Sequence, residues 1–287
     1  MKTKSKRLLI KIIAAILILL LPVIISNYAL VTTEYNFNKT EENGVKIAFI
    51  SDLHGKKFGF GNSLLVNKLS QLNPDIICLG GDFIDEDNTS DDNEELIELV
   101  SQLVKIAPTY YSYGNHDLHY FRAYGKIILD AMSEAGCTVL EEKYVDITVG
   151  NIDFRLGGMY DYAFNIKDYS EKNWSQDSTN IFLADFTDTD KTKILLCHRP
   201  DCFIFNDTDL VWDIDYILSG HTHGGIWQIP FTGGLIAPAQ GFFPEYDKGE
   251  FSINDSRMII SSGLAGYNMV PRLFNCPEIT IIEFNED

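Results

Sequence analysis

Five short apolar runs, each ending directly in a block of possible metal ligands, constrain this chain more than any other feature. The runs are VKIAFIS (Val45–Ser51), DIICL (Asp75–Leu79), TYYSY (Thr109–Tyr113), ILLC (Ile194–Cys197) and DYILS (Asp215–Ser219). The blocks that follow them are Asp52-Leu-His54, Gly81-Asp82, Gly114-Asn115-His116-Asp117, His198 and Gly220-His221-Thr222-His223-Gly224. One block alone is weak, because a D-x-H triplet reads equally as a capped turn and a lone histidine as a satisfied core residue. Position is what gives them weight. Apolar runs of this length bounded by turn residues read as buried strands, and open α/β sheets bind ligands beyond the carboxyl ends of their strands, where all five blocks fall. Gly81, Gly114 and Gly220 are expected to let the chain turn sharply off each strand.

The donors are carboxylates, imidazoles and one amide oxygen, without clustered thiolates. That set suits borderline to hard divalent ions such as Mn, Fe, Co or Zn, and does not suit a structural cysteine-type zinc site. Asp82, which opens the turn after its strand, is placed to bridge two ions.

In this order, D-x-H, G-D-x-x-D, G-N-H-D, H and G-H-x-H resemble the calcineurin-like metallophosphoesterases, from about Val45 to the C-terminus. The strings GHTHGG, IWQIPF, APAQGFFPEYDKG, SSGL and PRLFNCPEI are similar to a membrane-anchored subgroup of that family, the YkuE/YaeI type. The chain departs from the subgroup at Ile226, where a glutamine is usual, and carries Gln228 two residues on. The resemblance implies an α/β fold, a four-layer αββα sandwich of two mixed β-sheets flanked by helices. It assigns Asp52, His54 and His223 to one of two divalent metals, Asn115, His198 and His221 to the other, and Asp82 to both. It implies that His116 faces the substrate and donates a proton or hydrogen bond to the leaving oxygen, with Asp117 orienting its imidazole. Asp85, completing G-D-x-x-D, is expected to support the site or its loop.

The expected function is a dinuclear-metal-dependent phosphoester hydrolase of phosphodiesterase or pyrophosphate type. Two metals activate a shared water and clamp the oxygens of an in-line displacement, and the expected substrate is an envelope lipid or cell-wall phosphoester. The competing reading is a non-catalytic metal-binding or scaffold protein on a retired phosphoesterase fold. His116 separates the two, because a retired member is expected to lose a ligand or this histidine, and the chain keeps them all.

At 287 residues and 45% apolar content the chain reads as one catalytic domain with an appendage. Lys2, Lys4, Lys6, Arg7 and Lys11 precede Ile12–Val31, an apolar run interrupted only by Pro22, Ser26, Asn27 and Tyr28. A positive flank before about 20 apolar residues, without a small-residue cleavage site, reads as a transmembrane signal anchor with the enzyme outside the cell membrane. The expected division is therefore 1–31 for flank and anchor, 32–43 for a short stalk and 44–287 for the catalytic domain. Setting the five basic residues of the flank aside from the overall charge of −18 leaves −23 for the remainder. A surface that acidic argues against nucleic acid as a partner.

Several other features carry smaller expectations. The acidic run Asp85–Glu95 fails the calcium-loop template, with Ser90 where glycine is needed and Leu96 where glutamate is needed, and reads as a solvated loop entering an amphipathic helix. Helices are expected over Asn62–Leu72, Asn93–Ile106 and Phe121–Ala135, a hairpin at Gly150-Asn151, and strands over Met258–Ser261 and Ile279–Phe284. Arg199 reads as a solvated charge before Pro200, and His119 as packing or rim. The Gly225–Pro244 stretch, with Trp227, Phe231, Phe242 and Phe243, reads first as ordinary loop packing, with an apolar lip beside the metals as the sharper alternative. Five cysteines without motif spacing give little support for a disulfide framework.

Overall fold

Alternating apolar side chains sort the chain into two six-stranded sheets. The computed structural model describes residues 6, 11, 17, 20–37, 44–85, 87–159, 176–205, 212–267 and 270–285. The first sheet runs in the order β1 (Val31–Phe37), β16 (Glu278–Phe284), β2 (Val45–Ile50), β3 (Ile76–Gly80), β4 (Thr109–Ser112) and β5 (Thr138–Val139). Strands β2 to β5 are parallel, β16 is antiparallel to β2, and β1 is parallel to β16. The second sheet runs β14 (Gly249–Ile253), β15 (Ser256–Ile260), β9 (Tyr216–Ser219), β8 (Thr192–Leu196), β7 (Ile152–Gly158) and β6 (Lys143–Val149). Its four inner strands are parallel, and each edge strand closes an antiparallel hairpin.

The period-two pattern explains the layering. In β2, Val45, Ile47 and Phe49 enter the slab between the sheets, while Ala48 and Ile50 enter the slab beneath the helices. In β8, Ile194 and Leu196 meet that same central slab, and Leu195 faces the opposite way with Met258 and Ile260 of β15. Helices α2 (Ser63–Leu72), α3 (Ser90–Leu103), α4 (Asn115–Tyr124) and α5 (Ile127–Glu134) cover the first sheet. Helices α6 (Gln176–Thr187) and α7 (Asp201–Ile204) lie over the second. The result is the αββα metallophosphatase fold with two mixed sheets.

The expected hairpin is present, with Val149 opposite Ile152. The expected helix over Phe121–Ala135 is two helices broken at Gly125, where φ is +79°. The first of them starts at Asn115, inside the Gly-Asn-His-Asp block. The acidic run is only partly a loop. Thr89 caps α3 in a box with Asp92, and Asp91 and Asp92 sit in the first turn, where the helix dipole favours carboxylates. None of the five cysteines forms a disulfide among the described residues.

The expected stalk over 32–43 needs correction, since its first half is β1, hydrogen-bonded in register to β16 from Val31↔Glu278 to Phe37↔Phe284. Val31–Phe37 is thus a strand of the first sheet, and residues 38–43 lie outside the described set. Most of the expected anchor also lies outside it. Residues 20–28 form a helix, α1, and no helix among the described residues is long and apolar enough to cross a membrane. In the Gly225–Pro244 stretch, two small ribbons, β10–β11 (Gln228–Ile229, Gly233–Gly234) and β12–β13 (Ile236–Ala237, Gly241–Phe242), hold Phe231, Phe242 and Phe243 out in the open. Ordinary packing does not describe those three rings.

Candidate metal centre

Strands β2, β3 and β4 of one sheet and β8 and β9 of the other deliver their carboxyl ends to one place, so all five sequence blocks converge. Asp52, His54, His223; His54, Asp82, His116; and Asp82, His198, His221 each form a group whose ligand atoms lie within 4.8 Å of one another. The groups share His54 and Asp82, which makes one continuous cluster. Contacts across the sheets hold it together. Asp52 Oδ1 accepts from the backbone N–H of His221 at 2.9 Å, and His198 Nδ1 lies 2.7 Å from the Gly80 carbonyl.

Backbone conformation aims these side chains. Asp52, His54, Asp82, His221 and His223 all have φ between +45° and +69°. Non-glycine residues seldom adopt this left-handed region, although Asp and His do so more than most, and such strain concentrates where a site must be held open. The glycines do not all act as expected. Gly81 does turn through φ +92°, but Gly114 has φ −109° and is needed for space. A Cβ on Gly114 would lie 2.4 Å from Asp82 Oδ1, and one on Gly220 would lie 2.4 Å from Asp52 Oδ2.

The histidines present one ring nitrogen each. A carbonyl can only accept, so His198 Nδ1–H donates to Gly80, and His223 Nδ1–H donates to the Ala265 carbonyl at 3.2 Å. That fixes the tautomer and leaves each Nε2 as a lone-pair donor. His198 Nε2 is 2.9 Å from Asp82 Oδ2, and His223 Nε2 is 3.8 Å from Asp52 Oδ1. His54 holds Asp85 at 2.6 Å through Nδ1 and points Nε2 toward Asp82 at 3.7 Å. His54 Nε2, Asn115 Oδ1 and His221 Nε2 are buried and find no hydrogen-bond partner among the described residues. Leaving a polar atom buried and unsatisfied costs about 1–3 kcal/mol, so three around two carboxylates are what a cation-binding site requires. Asp52, His54, Asp82, Asn115, His198, His221 and His223 fit a pair of divalent ions.

The charges agree with this fit. Burial works against ionisation of Asp82, yet His198, His54 and His116 together hold its carboxyl well below the usual carboxylate range. Burial, with Arg199 and His198 nearby, drives His221 well down, and burial chiefly brings His223 to about 4, so both rings are neutral at neutral pH. His54 behaves differently. Burial opposes its charge, but Asp85, Asp82 and Asp52 outweigh it and raise the ring above its ordinary value. A ring must be neutral at Nε2 to ligate, so metal uptake displaces a proton from His54. We expect metal affinity to fall as pH drops through neutrality, with proton release seen in titration calorimetry run in two buffers of different ionisation heat. Pairs of runs with identical heats would contradict this.

Asp117 does not orient His116. Its two oxygens accept from the backbone N–H groups of Asp82, Phe83, Ile84 and Gly114 at 2.7, 3.1, 2.8 and 2.8 Å. The carboxylate beside His116 Nδ1 is Asp85, at 3.2 Å, and the same oxygen contacts His54. Burial depresses His116, but the Asp85 hydrogen bond and the charges of Asp82, Asp85 and Asp117 lift it to about 9. Arg199 also departs from its expected solvated position, being buried and paired through Nη2 with Asp201 at 2.9 Å. Asp201 in turn lies 3.9 Å from His221 Nε2. His119 is exposed and outside the metal groups.

A cleft of about 610 Å³ opens over His54, His116 and His223. Lys56 is the only lysine or arginine among its described lining residues, and it donates to the Leu264 carbonyl at 3.1 Å. Burial and the nearby Arg272 lower its amine to about 8. Sequence reasoning missed the loop that backs this cleft. Arg272, fully buried, donates through Nε to the Ala265 carbonyl at 2.9 Å, and Asn275 donates to the His223 carbonyl at 2.7 Å. Their only signal was the PRLFNCPEI string. Gln228 proves structural, donating to the Gly224 carbonyl at 2.8 Å and to Asp247 at 2.7 Å, while Ile226 is buried.

The family model for calcineurin-like phosphoesterases matches residues 45–225. The chain is 28% identical over 243 residues to the uncharacterized metallophosphoesterase YkuE of Bacillus subtilis, covering 83% of this chain and 78% of that protein. It is 27% identical over 261 residues to phosphodiesterase YaeI of Escherichia coli, covering 89% and 88%. Among solved structures, the sulfate thiohydrolase SoxB of Thermus thermophilus shares the fold, with a TM-score of 0.52 at 10% identity over 86% of this chain and 58% of that one. Seven ligand-type residues at the strand ends, the two-sheet fold and these relatives lead to one conclusion: the chain belongs to the calcineurin-like phosphoesterase family, as a hydrolase of phosphoesters that uses two divalent metal ions.

Proposed function

We propose that the chain is a phosphodiesterase or pyrophosphate-type hydrolase acting outside the cell membrane on an envelope lipid or cell-wall phosphoester, held there by the apolar segment at 12–31. The observation that carries the reaction type is the placement of His116. It lies at the cleft, partly exposed and against Asp85, while the ligand-type histidines His198, His221 and His223 are buried beneath it. The relative named as a phosphodiesterase supports a diester substrate, and the acidic remainder of the chain opposes a polyanionic one.

When bound, two divalent ions lower the pKa of a shared water and neutralise the charge that develops on the phosphoryl oxygens. The protein's own residues do the rest. Asp52, Asp82, Asn115 and the four histidines His54, His198, His221 and His223 would hold the ions. His116 holds a proton at Nε2 and delivers it to the leaving oxygen, with Asp85 anchoring the opposite ring nitrogen. Lys56 offers its ammonium to a phosphoryl oxygen that takes no part in bond making.

The test is hydrolysis by the purified full chain in detergent with Mn²⁺, comparing an alkyl diester, bis-p-nitrophenyl phosphate and the monoester. Both diesters are expected to turn over faster than the monoester. General acid catalysis is worth roughly 10²–10⁴-fold, so His116→Ala should lose about that on the alkyl diester. It should lose clearly less on the p-nitrophenyl diester, whose leaving group needs no proton. Equal losses on both esters would remove the proton-transfer role, and absence of metal-dependent turnover on every ester would sink the enzyme reading.

A further inference from the structure

Helix α1 forms part of the wall of the cleft. Asn27, one residue before its end, lines the cleft with His54 and His116. Its amide closes a two-bond clamp on the rim loop, with Nδ2 donating to the Arg272 carbonyl at 2.9 Å and Oδ1 accepting from the Arg272 N–H at 3.0 Å. Cys276 Sγ lies 3.7 Å from the Ile25 carbonyl, and Ser26 is buried. Only residues 29 and 30 separate α1 from β1, whose first N–H donates to the Pro277 carbonyl at 2.9 Å.

The register fixes which end of the domain this is. β1 begins opposite Glu278, just before Thr280 pairs with Phe49 near the carboxyl end of β2. The helix therefore enters the domain at the end where the metal ligands gather, and no flexible linker intervenes. Apolar side chains surround the entry. Leu20, Leu21, Ile24, Ile25 and Tyr28 of α1 are between 47% and 71% exposed, and Tyr267, Val270 and Phe274 of the rim loop between 36% and 55%.

We infer that the rim of the cleft rests on the bilayer surface, so that the site takes an amphiphilic phosphoester presented in the headgroup layer of the membrane that holds the helix. The inference rests on the proposal above that the apolar segment beginning at Ile12 anchors the chain in the membrane. A stalk would let the domain tumble and draw substrate from solution, whereas a clamped helix gives the cleft one fixed height and one orientation. Aromatic and aliphatic side chains beside a polar cleft suit the interfacial region, where amphipathic rings partition favourably.

The full chain reconstituted in phosphatidylcholine vesicles tests this, using lipid brominated near the headgroup to quench tryptophan. Val270→Trp places a reporter on the rim, and Ile181→Trp places one at an exposed site on α6, over the second sheet. The added emission of Val270→Trp should be lost in brominated vesicles and that of Ile181→Trp retained. Retention of the protein in the vesicles after an alkaline wash reports on the anchor separately. A protein that stays with the vesicles while both reporters remain bright overturns the seated rim and leaves the anchor standing. A protein that washes off overturns both. Ester hydrolysis in the same samples reads the catalytic assignment independently of either result.

Discussion

Asp82→Asn is expected to abolish metal-dependent turnover without unfolding the protein. Asp82 is the carboxylate that reaches both halves of the cluster, with Oδ2 lying 2.9 Å from His198 Nε2 and 3.7 Å from His54 Nε2. Asparagine keeps the shape and one acceptor for the His116 N–H, which Asp82 Oδ1 now accepts at 2.9 Å. What disappears is the negative charge between two cations. Loss of a group that merely supports a ligand costs about 10–100-fold, so loss of the shared ligand should exceed about 100-fold in kcat/KM. The metal-free variant should still unfold cooperatively but melt below the metal-free wild type, because the charge removed is one that His198, His54 and His116 stabilise. A variant that keeps wild-type turnover at saturating Mn²⁺ would show that Asp82 is dispensable.

Asp117→Ala should fail in the opposite way, through stability. Its two oxygens satisfy four backbone N–H groups, three of them in the Asp82–Ile84 turn and one at Gly114. Each donor left buried and unpaired costs about 1–3 kcal/mol, so the loss should reach about 4 kcal/mol or more. That is a large share of the roughly 5–15 kcal/mol by which a domain is stable. Asp117→Asn, which keeps one acceptor oxygen, should lose less. Urea unfolding of the metal-free proteins measures both. An Asp117→Ala variant with wild-type stability and a low kcat would restore the orienting role that the family resemblance implies.

Much of this architecture was legible in sequence because it depends on local pattern. The short apolar runs before each ligand block became β2, β3, β4, β8 and β9, and the ligand types at their ends converged. What escaped depends on pairing across the chain. The Val31–Phe37 segment looks polar enough for a stalk, and only β16, some 250 residues later, supplies its partner. Asp117 follows His116 in sequence, but both residues lie in the first turn of α4, which swings Asp117 back onto the Asp82 turn and leaves His116 facing Asp85. Arg199 looked solvated because no motif marks Asp201 as the carboxylate that offsets its charge in the buried site. The Asn27–Arg272 clamp spans 245 positions and has no local signature at all.

The most direct test of the account is the metal content of the purified, Mn²⁺-loaded chain, measured by mass spectrometry of the digested protein against its concentration. The cluster built by both sheets predicts two ions per chain in the wild type and fewer than two in Asp82→Asn, with activity following the loss. A fully active wild type holding a single ion, or an Asp82→Asn chain holding two, would contradict a dinuclear site bridged by this residue.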